Sequence, residues 1–143
     1  MKIIIINGPN LNLLGKREPE IYGRQSFEEY LETLRNEFPG HQIDHYQTNH
    51  EGSIIDKLQE SDSRYDAVIL NPAAYTHTSI AIADCIKAID IPVVEVHISD
   101  INKREDFRKH SFVKDVAVYS ISGQGLNGYA TAVKWLLRNK HNP

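Results

Sequence analysis

Apolar residues fall in five short runs along the chain, and most of these runs are rich in β-branched side chains. Nearly continuous apolar runs are typical of parallel strands that are buried on both faces of a sheet. The second run alternates apolar with polar residues, which fits a strand at the edge. The pattern predicts strands at residues 2–6, 42–47, 67–70, 92–96 and 116–121.

Apolar residues at helical spacing fill the segments between these runs. The first helix begins with a capping box at Ser26 and Glu29 and ends at Pro39 and Gly40. Further helices are predicted at about residues 51–61, 78–89, 103–110 and 126–139. This alternation predicts an α/β fold, flavodoxin-like, with a five-stranded parallel sheet in the order 2-1-3-4-5 and helices on both faces.

The connection between the first strand and the first helix is unusually long and shows no regular periodicity. Such connections normally take about two to six residues, and longer ones are commonly functional. This segment carries Arg17 and Tyr22 among glycines and prolines, and it follows the carboxyl end of a strand, where reactive groups of open α/β sheets collect. We therefore expect residues of about 15–25 to form a lid over an active site.

The other strands bring polar residues to the same edge of the sheet. Asn71 ends the third strand, Glu95 and His97 lie at the end of the fourth, and Arg104 and Arg108 follow. Taken singly, an Asn there usually serves a turn and an isolated histidine is usually structural, as we expect for His41, His45, His50, His110 and His141. The convergence of several such groups at one edge favours a functional site.

Size and charge narrow the class of protein. With 143 residues the chain is expected to be a single catalytic domain over residues 1–143. A net charge of −3 argues against a nucleic-acid partner, which would need a basic face. The sequence shows no apolar run long enough to span a membrane and no signal peptide pattern, and its single cysteine, Cys85, cannot form an internal disulfide. We therefore expect a cytoplasmic protein with no membrane partner.

Several site types fit the sequence poorly. His77 and His97 lack neighbouring ligands at metal-binding spacing, so no metal is expected. A receiver domain would need acidic residues after the first and third strands, where the chain has Asn7 and Asn71. Phosphate-loop, dinucleotide and nucleophile-elbow motifs are also missing from the sequence. What remains is proton transfer on a small anionic substrate held by arginines and helix amino ends.

Eight short segments in the expected order resemble type II 3-dehydroquinate dehydratases, and the resemblance covers essentially the whole chain. They are GPNLNLLG at residues 8–15, REP at 17–19, YG at 22–23, NPAAYTHTS at 71–79, EVHIS at 95–99, REDFRKHS at 104–111, GQG at 123–125 and GY at 128–129. One departure is Ala73, at a position where this family commonly has glycine.

The resemblance implies removal of water from 3-dehydroquinate to give 3-dehydroshikimate, by anti elimination through an enolate, in the shikimate pathway of aromatic amino acid biosynthesis. It implies no cofactor. By the resemblance, Tyr22 would act as the phenolate base and His97 as the acid that protonates the departing hydroxyl. Arg17 would be the cation that keeps the base ionised, and Glu95 would orient the acid. Asn10, assisted by Pro9, would position the water at the enolate oxygen.

The same resemblance implies how the substrate is bound. Ring hydroxyls would be held by Asn71, His77 and Arg108, and the substrate carboxylate by the amides of Ile98 and Ser99. Asp84 would reach toward the site of a neighbouring copy, in a homo-oligomer expected to be a dodecamer built from trimers.

Two other classes of protein remain open on the sequence. One is a binding or regulatory protein that kept the crevice and lost the chemistry, which an assay of turnover would distinguish. The other is a flavin or nucleotide binder with the same strand order, which a colourless protein purified without a bound cofactor would argue against.

Overall fold

A computed structural model of the chain describes residues 1–16, 20 and 24–140. Five parallel strands form one sheet in the order β2-β1-β3-β4-β5, which confirms the predicted strand order and the edge position of β2. Their bounds are β1 (Lys2–Asn7), β2 (Gln42–Gln47), β3 (Ala67–Asn71), β4 (Val93–His97) and β5 (Tyr119–Ser122).

The described residues contain four α-helices, α1 (Phe27–Glu37), α2 (Glu51–Ser61), α3 (Ile80–Ala88) and α4 (Asn127–Arg138). The start of α1 follows the capping prediction, because Ser26 Oγ accepts a hydrogen bond from the Glu29 amide at 3.2 Å. Among the described helices, none has the length and apolar character needed to cross a membrane.

Alternation along the strands divides the core into two layers. Ile3 and Ile5 face the layer formed with α1 and α4, whereas Ile4 and Ile6 face the layer formed with α2 and α3. All four side chains are 2% exposed or less, so β1 is buried on both faces, as its continuous apolar run predicted.

The predicted start of the fifth strand at residue 116 is wrong. The amides of Val116 and Ala117 both donate to the Val113 carbonyl, which winds this part of the chain into a turn. Pairing with β4 therefore begins later, where Tyr119 lies opposite Val94.

The predicted helix at 103–110 is also wrong. The segment instead forms two short 3-10 turns, Ile101–Lys103 and Asp106–Arg108. Phe107 is 69% exposed, so this segment has no apolar stripe with which a longer helix could pack.

Candidate active site

The carboxyl ends of β1, β3 and β4 surround an open cleft. Nine residues that the sequence suggested for a site line it together: Pro9, Asn10, Asn71, His77, His97, Ile98, Ser99, Arg104 and Arg108. Arg17, Tyr22 and most of the predicted lid lie outside the described residues. The cleft therefore brings most of the predicted binding groups and the predicted acid to one place.

The loop after β1 is fixed by close backbone contacts. The Gly8 amide donates to the Asn71 carbonyl at 2.8 Å, and a Cβ on Gly8 would lie 2.6 Å from the Pro72 carbonyl oxygen, which only glycine avoids. Asn10 has a left-handed backbone with φ of 69°, and its amide donates to Asn49 Oδ1 at 3.1 Å. The chain beyond β2 thus holds Asn10 at the mouth of the cleft.

Glu95 and His97 are two residues apart on β4, so their side chains share one face of the sheet. His97 Nε2 lies 2.7 Å from Glu95 Oε2, and Glu95 is 1% exposed. The same carboxylate accepts hydrogen bonds from three hydroxyls at 2.6, 2.6 and 2.8 Å, those of Thr76, Ser111 and Ser120. A buried carboxylate with four donors is fully satisfied and fixed in position.

These contacts decide the charge state of Glu95. Burial on its own would raise the pKa of the carboxyl, but the hydrogen bond and charge of His97 together with the hydroxyls of Ser111 and Thr76 lower it to about 2. Because an ionised carboxylate only accepts hydrogen bonds, the His97 nitrogen that faces it carries a proton. The imidazole is thereby oriented, with its other edge toward the cleft.

His77, which also lines the cleft, is oriented by the backbone of His110. Its Nδ1 lies 2.6 Å from the His110 carbonyl oxygen and must carry a proton to donate there. Burial lowers the pKa of His77 and outweighs the hydrogen bond to the His110 carbonyl, which raises it; the charge of Arg108 lowers it further. The neutral ring therefore offers Nε2 as an acceptor to a hydroxyl group in the cleft.

The turn after β4 presents polar groups to the cleft. The carbonyls of Ile98 and Ser99 accept hydrogen bonds from Gly125 and Gly123, at 3.0 and 3.2 Å. A trans peptide points its C=O and its following N–H in opposite directions, so the Ser99 amide points away from that loop. Arg104 Nη1 donates to Ser99 Oγ at 3.2 Å and adds positive charge beside it.

The second cleft arginine is held by a neighbouring carboxylate. Arg108 Nε lies 3.1 Å from Glu105 Oε2, an ion-pair contact without the alignment of a hydrogen bond. The Arg108 side chain is 28% exposed and lines the cleft, so its guanidinium remains able to meet a ligand.

Asn71 and Ala73 form the floor of the cleft at the end of β3. Asn71 is 3% exposed, and its Oδ1 accepts a hydrogen bond from the Ala73 amide at 3.1 Å. Ala73 has φ of 53°, the left-handed region that favours glycine. The departure from the family pattern noted in the sequence thus falls at a strained position.

Asp84 is the predicted site residue that lies elsewhere. It stands on α3 with 64% of its side chain exposed and 3.5 Å from Lys87 Nζ, and it does not line this cleft. Within the described part of the chain, no group of three or more His, Cys, Asp or Glu side chains is placed to hold a metal ion.

Four residues that the structure places in or behind the site had no predicted role: Thr76, Ser111, Ser120 and Tyr129. Arg104, which the sequence grouped with Arg108 among the polar residues of this edge, carried a signal and lines the cleft. The three hydroxyls carried none, because Ser and Thr are common throughout the chain and these lie 16 to 25 residues from Glu95.

The fold and the cleft define a class of protein, an α/β enzyme that acts on a small molecule with an oriented imidazole and two arginines. The chain belongs to the dehydroquinase class II family, whose pattern it matches over residues 1–137. This match confirms the resemblance seen in the sequence.

Individual relatives agree with the family. The chain is 50% identical over 139 residues to a 3-dehydroquinate dehydratase of Clostridium botulinum, covering 96% of this chain and 95% of that protein. It is 45% identical to catabolic 3-dehydroquinase 1 of Fusarium vanettenii, with 96% of each covered. The crystal structure of the type II dehydroquinase of Butyrivibrio crossotus superposes with a TM-score of 0.90 at 47% identity, covering 96% of this chain and 97% of that one.

Proposed function

We propose that the protein is a type II 3-dehydroquinate dehydratase, a hydro-lyase that converts 3-dehydroquinate to 3-dehydroshikimate by anti elimination through an enolate. The observation that carries the proposal is the buried Glu95 carboxylate 2.7 Å from His97 at the wall of a polar cleft. We assign the substrate from the 3-dehydroquinate dehydratases to which the chain is similar.

His97 acts as the acid that protonates the departing hydroxyl. Glu95 supports this role physically, because a carboxylate beside the imidazole stabilises the positively charged ring and holds it in one orientation. The hydroxyls of Thr76 and Ser111 keep that carboxylate from turning away.

Tyr22 acts as the base in its phenolate form, and Arg17 keeps it ionised. Lowering a phenol pKa from about 10 to near 7 requires roughly 4 kcal/mol of preference for the phenolate. A cation at about 4 Å supplies only about 1 kcal/mol in water but about 4 kcal/mol at an effective dielectric constant of about 20. Arg17 can therefore act only where much of the water is excluded, which is the task we assign to the lid at residues 15–25.

The remaining roles concern binding. The ring hydroxyls are held by Asn71, His77 and Arg108. This agrees with the Nε2 of His77, which can accept a hydrogen bond, and with the guanidinium of Arg108, which can donate one. The Ile98 and Ser99 amides bind the carboxylate beside the guanidinium of Arg104. Asn10, with Pro9, positions the water that stabilises the enolate oxygen.

We assign the enzyme to the cytoplasm and to the shikimate pathway of aromatic amino acid biosynthesis. We also propose that it assembles as a dodecamer of trimers in which Asp84 reaches the cleft of a neighbouring copy. The exposed position of Asp84 on α3, outside its own cleft, supports this assignment.

A direct assay tests the proposal. Purified protein mixed with 3-dehydroquinate should produce the ultraviolet absorbance of a conjugated enone, and activity should survive exhaustive chelation because the chemistry needs only a base, an acid and an enolate site. Specific binding of 3-dehydroquinate without any enone would favour the binding or regulatory protein and overturn the enzyme.

Two substitutions test the roles. Tyr22→Phe should lower kcat by at least about a thousandfold with little change in binding, and His97→Ala should lower kcat to a similar extent. Tyr46→Phe and His50→Ala, which alter residues away from the cleft, are the matched controls and should keep wild-type rates. A Tyr22→Phe variant within about tenfold of wild type would remove Tyr22 from the role of base.

A further inference from the structure

Behind the cleft, four polar side chains form one hydrogen-bonded chain. Asn71 Nδ2 lies 2.9 Å from Tyr129 OH, Tyr129 OH lies 2.8 Å from Asn7 Oδ1, and Asn7 Nδ2 lies 3.2 Å from His45 Nε2. We propose that Tyr129 is a positioning residue that fixes the orientation of the Asn71 amide toward the substrate. The inference rests on the proposed function, in which Asn71 holds a ring hydroxyl.

The Ala73 amide determines which groups donate and which accept along this series of hydrogen bonds. A backbone N–H can only donate, so the Ala73 amide identifies Oδ1 as the Asn71 atom that faces it. Asn71 Nδ2 therefore donates to Tyr129, and the Tyr129 hydroxyl is left to donate to Asn7 Oδ1. Asn7 Nδ2 then donates to a neutral His45 that carries its proton on Nδ1.

Burial makes these bonds obligatory. Tyr129 and Asn7 are fully buried, and water cannot replace either partner. Burial also raises the pKa of Tyr129, which keeps its hydroxyl a donor. Phe27 packs edge-on against the Tyr129 ring at 5.0 Å between centroids and fixes the ring from α1.

The consequence for the cleft concerns the second hydrogen of Asn71 Nδ2. One hydrogen of that amide goes to Tyr129, and because Asn71 lines the cleft the other is available to a ligand. Rotating the amide by half a turn would place Nδ2 against the Ala73 N–H, donor against donor. Tyr129 and Ala73 thus hold the same orientation from two sides.

Tyr129→Phe removes one oxygen atom from this chain and keeps the ring. We expect KM for 3-dehydroquinate to rise about tenfold while kcat changes by less than about threefold, because Asn71 binds the substrate in the ground and transition states alike. A merely structural hydroxyl would alter stability and leave both constants of the folded enzyme unchanged.

Tyr30→Phe is the matched control. Its ring belongs to the same cluster, 6.1 Å from that of Tyr129, and its buried hydroxyl lies near the Ala130 backbone without a well-formed hydrogen bond among the described residues. This variant should keep wild-type KM and kcat. Equal KM values in Tyr129→Phe and Tyr30→Phe would overturn the inference.

A double-mutant cycle tests whether Tyr129 acts through Asn71. Asn71→Ala should raise KM by itself, and adding Tyr129→Phe should raise it no further. If the two effects multiply, Tyr129 acts by another route and the inference is wrong. Should Tyr129→Phe fail to fold, the wild-type protein tests the bond itself: one Asn71 side-chain amide proton should exchange slowly with solvent because it is bonded to Tyr129, and equally fast exchange of both protons would overturn the inference.

A readout without turnover separates this inference from the proposed function. The side-chain amide signals of Asn71 in the ¹⁵N–¹H spectrum, identified by their loss in Asn71→Ala, should move and exchange faster with solvent in Tyr129→Phe but not in Tyr30→Phe. That result in a protein with no dehydratase activity would overturn the function and keep the positioning role. Unaltered Asn71 signals in Tyr129→Phe would overturn the positioning role whatever the activity.

Discussion

Glu95 is only 1% exposed, yet its hydrogen-bond partners lower the pKa of its carboxyl to about 2. Its charge is stabilised by one imidazole and three hydroxyls from four different segments of the chain. Removing a partner would leave a buried charge poorly compensated, which is a costly change in a protein interior. The residue therefore links the proposed chemistry directly to the stability of the fold.

This linkage predicts a pH dependence of stability. The pKa of Glu95 is about 2 in the folded chain against an ordinary 4.5, so its ionised form stabilises the fold above pH 4.5 and the benefit is lost as the pH falls toward 2. Between about pH 6 and about pH 3 the wild type should lose about 2 kcal/mol of unfolding free energy that Glu95→Gln does not lose.

Urea unfolding of both proteins across this pH range measures the difference. Glu32→Gln, which removes an exposed carboxylate from α1, should follow the wild type. Parallel curves for the wild type and Glu95→Gln would show that the carboxyl is not held ionised by its partners.

A second prediction concerns Ala73, whose φ of 53° suits glycine. Since a left-handed backbone costs an alanine about 1–2 kcal/mol and glycine loses about 0.5–1 kcal/mol through its freer unfolded chain, Ala73→Gly should stabilise the fold by up to about 1 kcal/mol. Thermal unfolding should show a midpoint about 2–4 °C higher.

Ala74→Gly provides the contrast, because Ala74 follows directly and has no positive φ. It should destabilise the protein by about 0.5–1 kcal/mol. If both glycine variants destabilise it equally, the strain assigned to Ala73 is absent.

The sequence indicated the place of polar residues that end strands, but not the place of partners that come from far along the chain. Asn71 and His97 were recognisable because a strand end fixes their place in the fold. Ser111 and Ser120 were not, since no local pattern of hydrophobic and polar residues tells which hydroxyl will meet a buried carboxylate.

At the scale of elements, the helix α3 begins with a side-chain cap formed by Ser79, two residues after His77. Ser79 Oγ accepts from the Ile82 amide at 2.9 Å and is 2% exposed. Ser79→Ala should lower the unfolding free energy by about 1 kcal/mol. His50→Ala should change it by less than about 0.5 kcal/mol, because His50 makes no side-chain cap at the start of α2. Chemical denaturation compares the two, and equal losses would contradict the role of the Ser79 cap.

Element boundaries could be predicted where periodicity and capping agree. The second helix was predicted at residues 51–61 and is found at Glu51–Ser61. Prediction of the boundary failed at the fifth strand, because the Val116 amide donates to the Val113 carbonyl in a turn instead of pairing with β4. Hydrophobicity alone does not show which of two hydrogen-bonding arrangements a valine will join.

At the scale of the whole molecule, two buried polar clusters lie on opposite faces of the sheet at one edge. Asn7 and Asn71 face the layer of α1 and α4 through Tyr129, whereas Glu95 faces the other layer through Thr76. The cleft lies where both clusters end. The strand order predicted this edge as the site, but the sequence did not predict the division into two clusters.

The proposed assembly gives a prediction at this scale. Several large apolar side chains are exposed on the chain, among them Phe107 at 69% and Ile80 at 59%. Light scattering after gel filtration should report twelve chain masses, and Asp84→Asn should lower kcat/KM without changing that mass. Asp56→Asn, on the exposed side of α2, should change neither. A monomer with full activity would contradict both the dodecamer and the role of Asp84.

The spacing of Glu95 and His97 on β4 restricts how homologous chains can differ in length. Neighbouring residues on a strand face opposite sides of the sheet, so an insertion or deletion within β4 would turn the carboxylate into the other hydrophobic layer and bring a valine to the cleft. The turn at Gly40 has no such constraint, since a side chain there would meet nothing within 4 Å. Length differences between relatives should therefore accumulate in turns such as this one and be absent from β4.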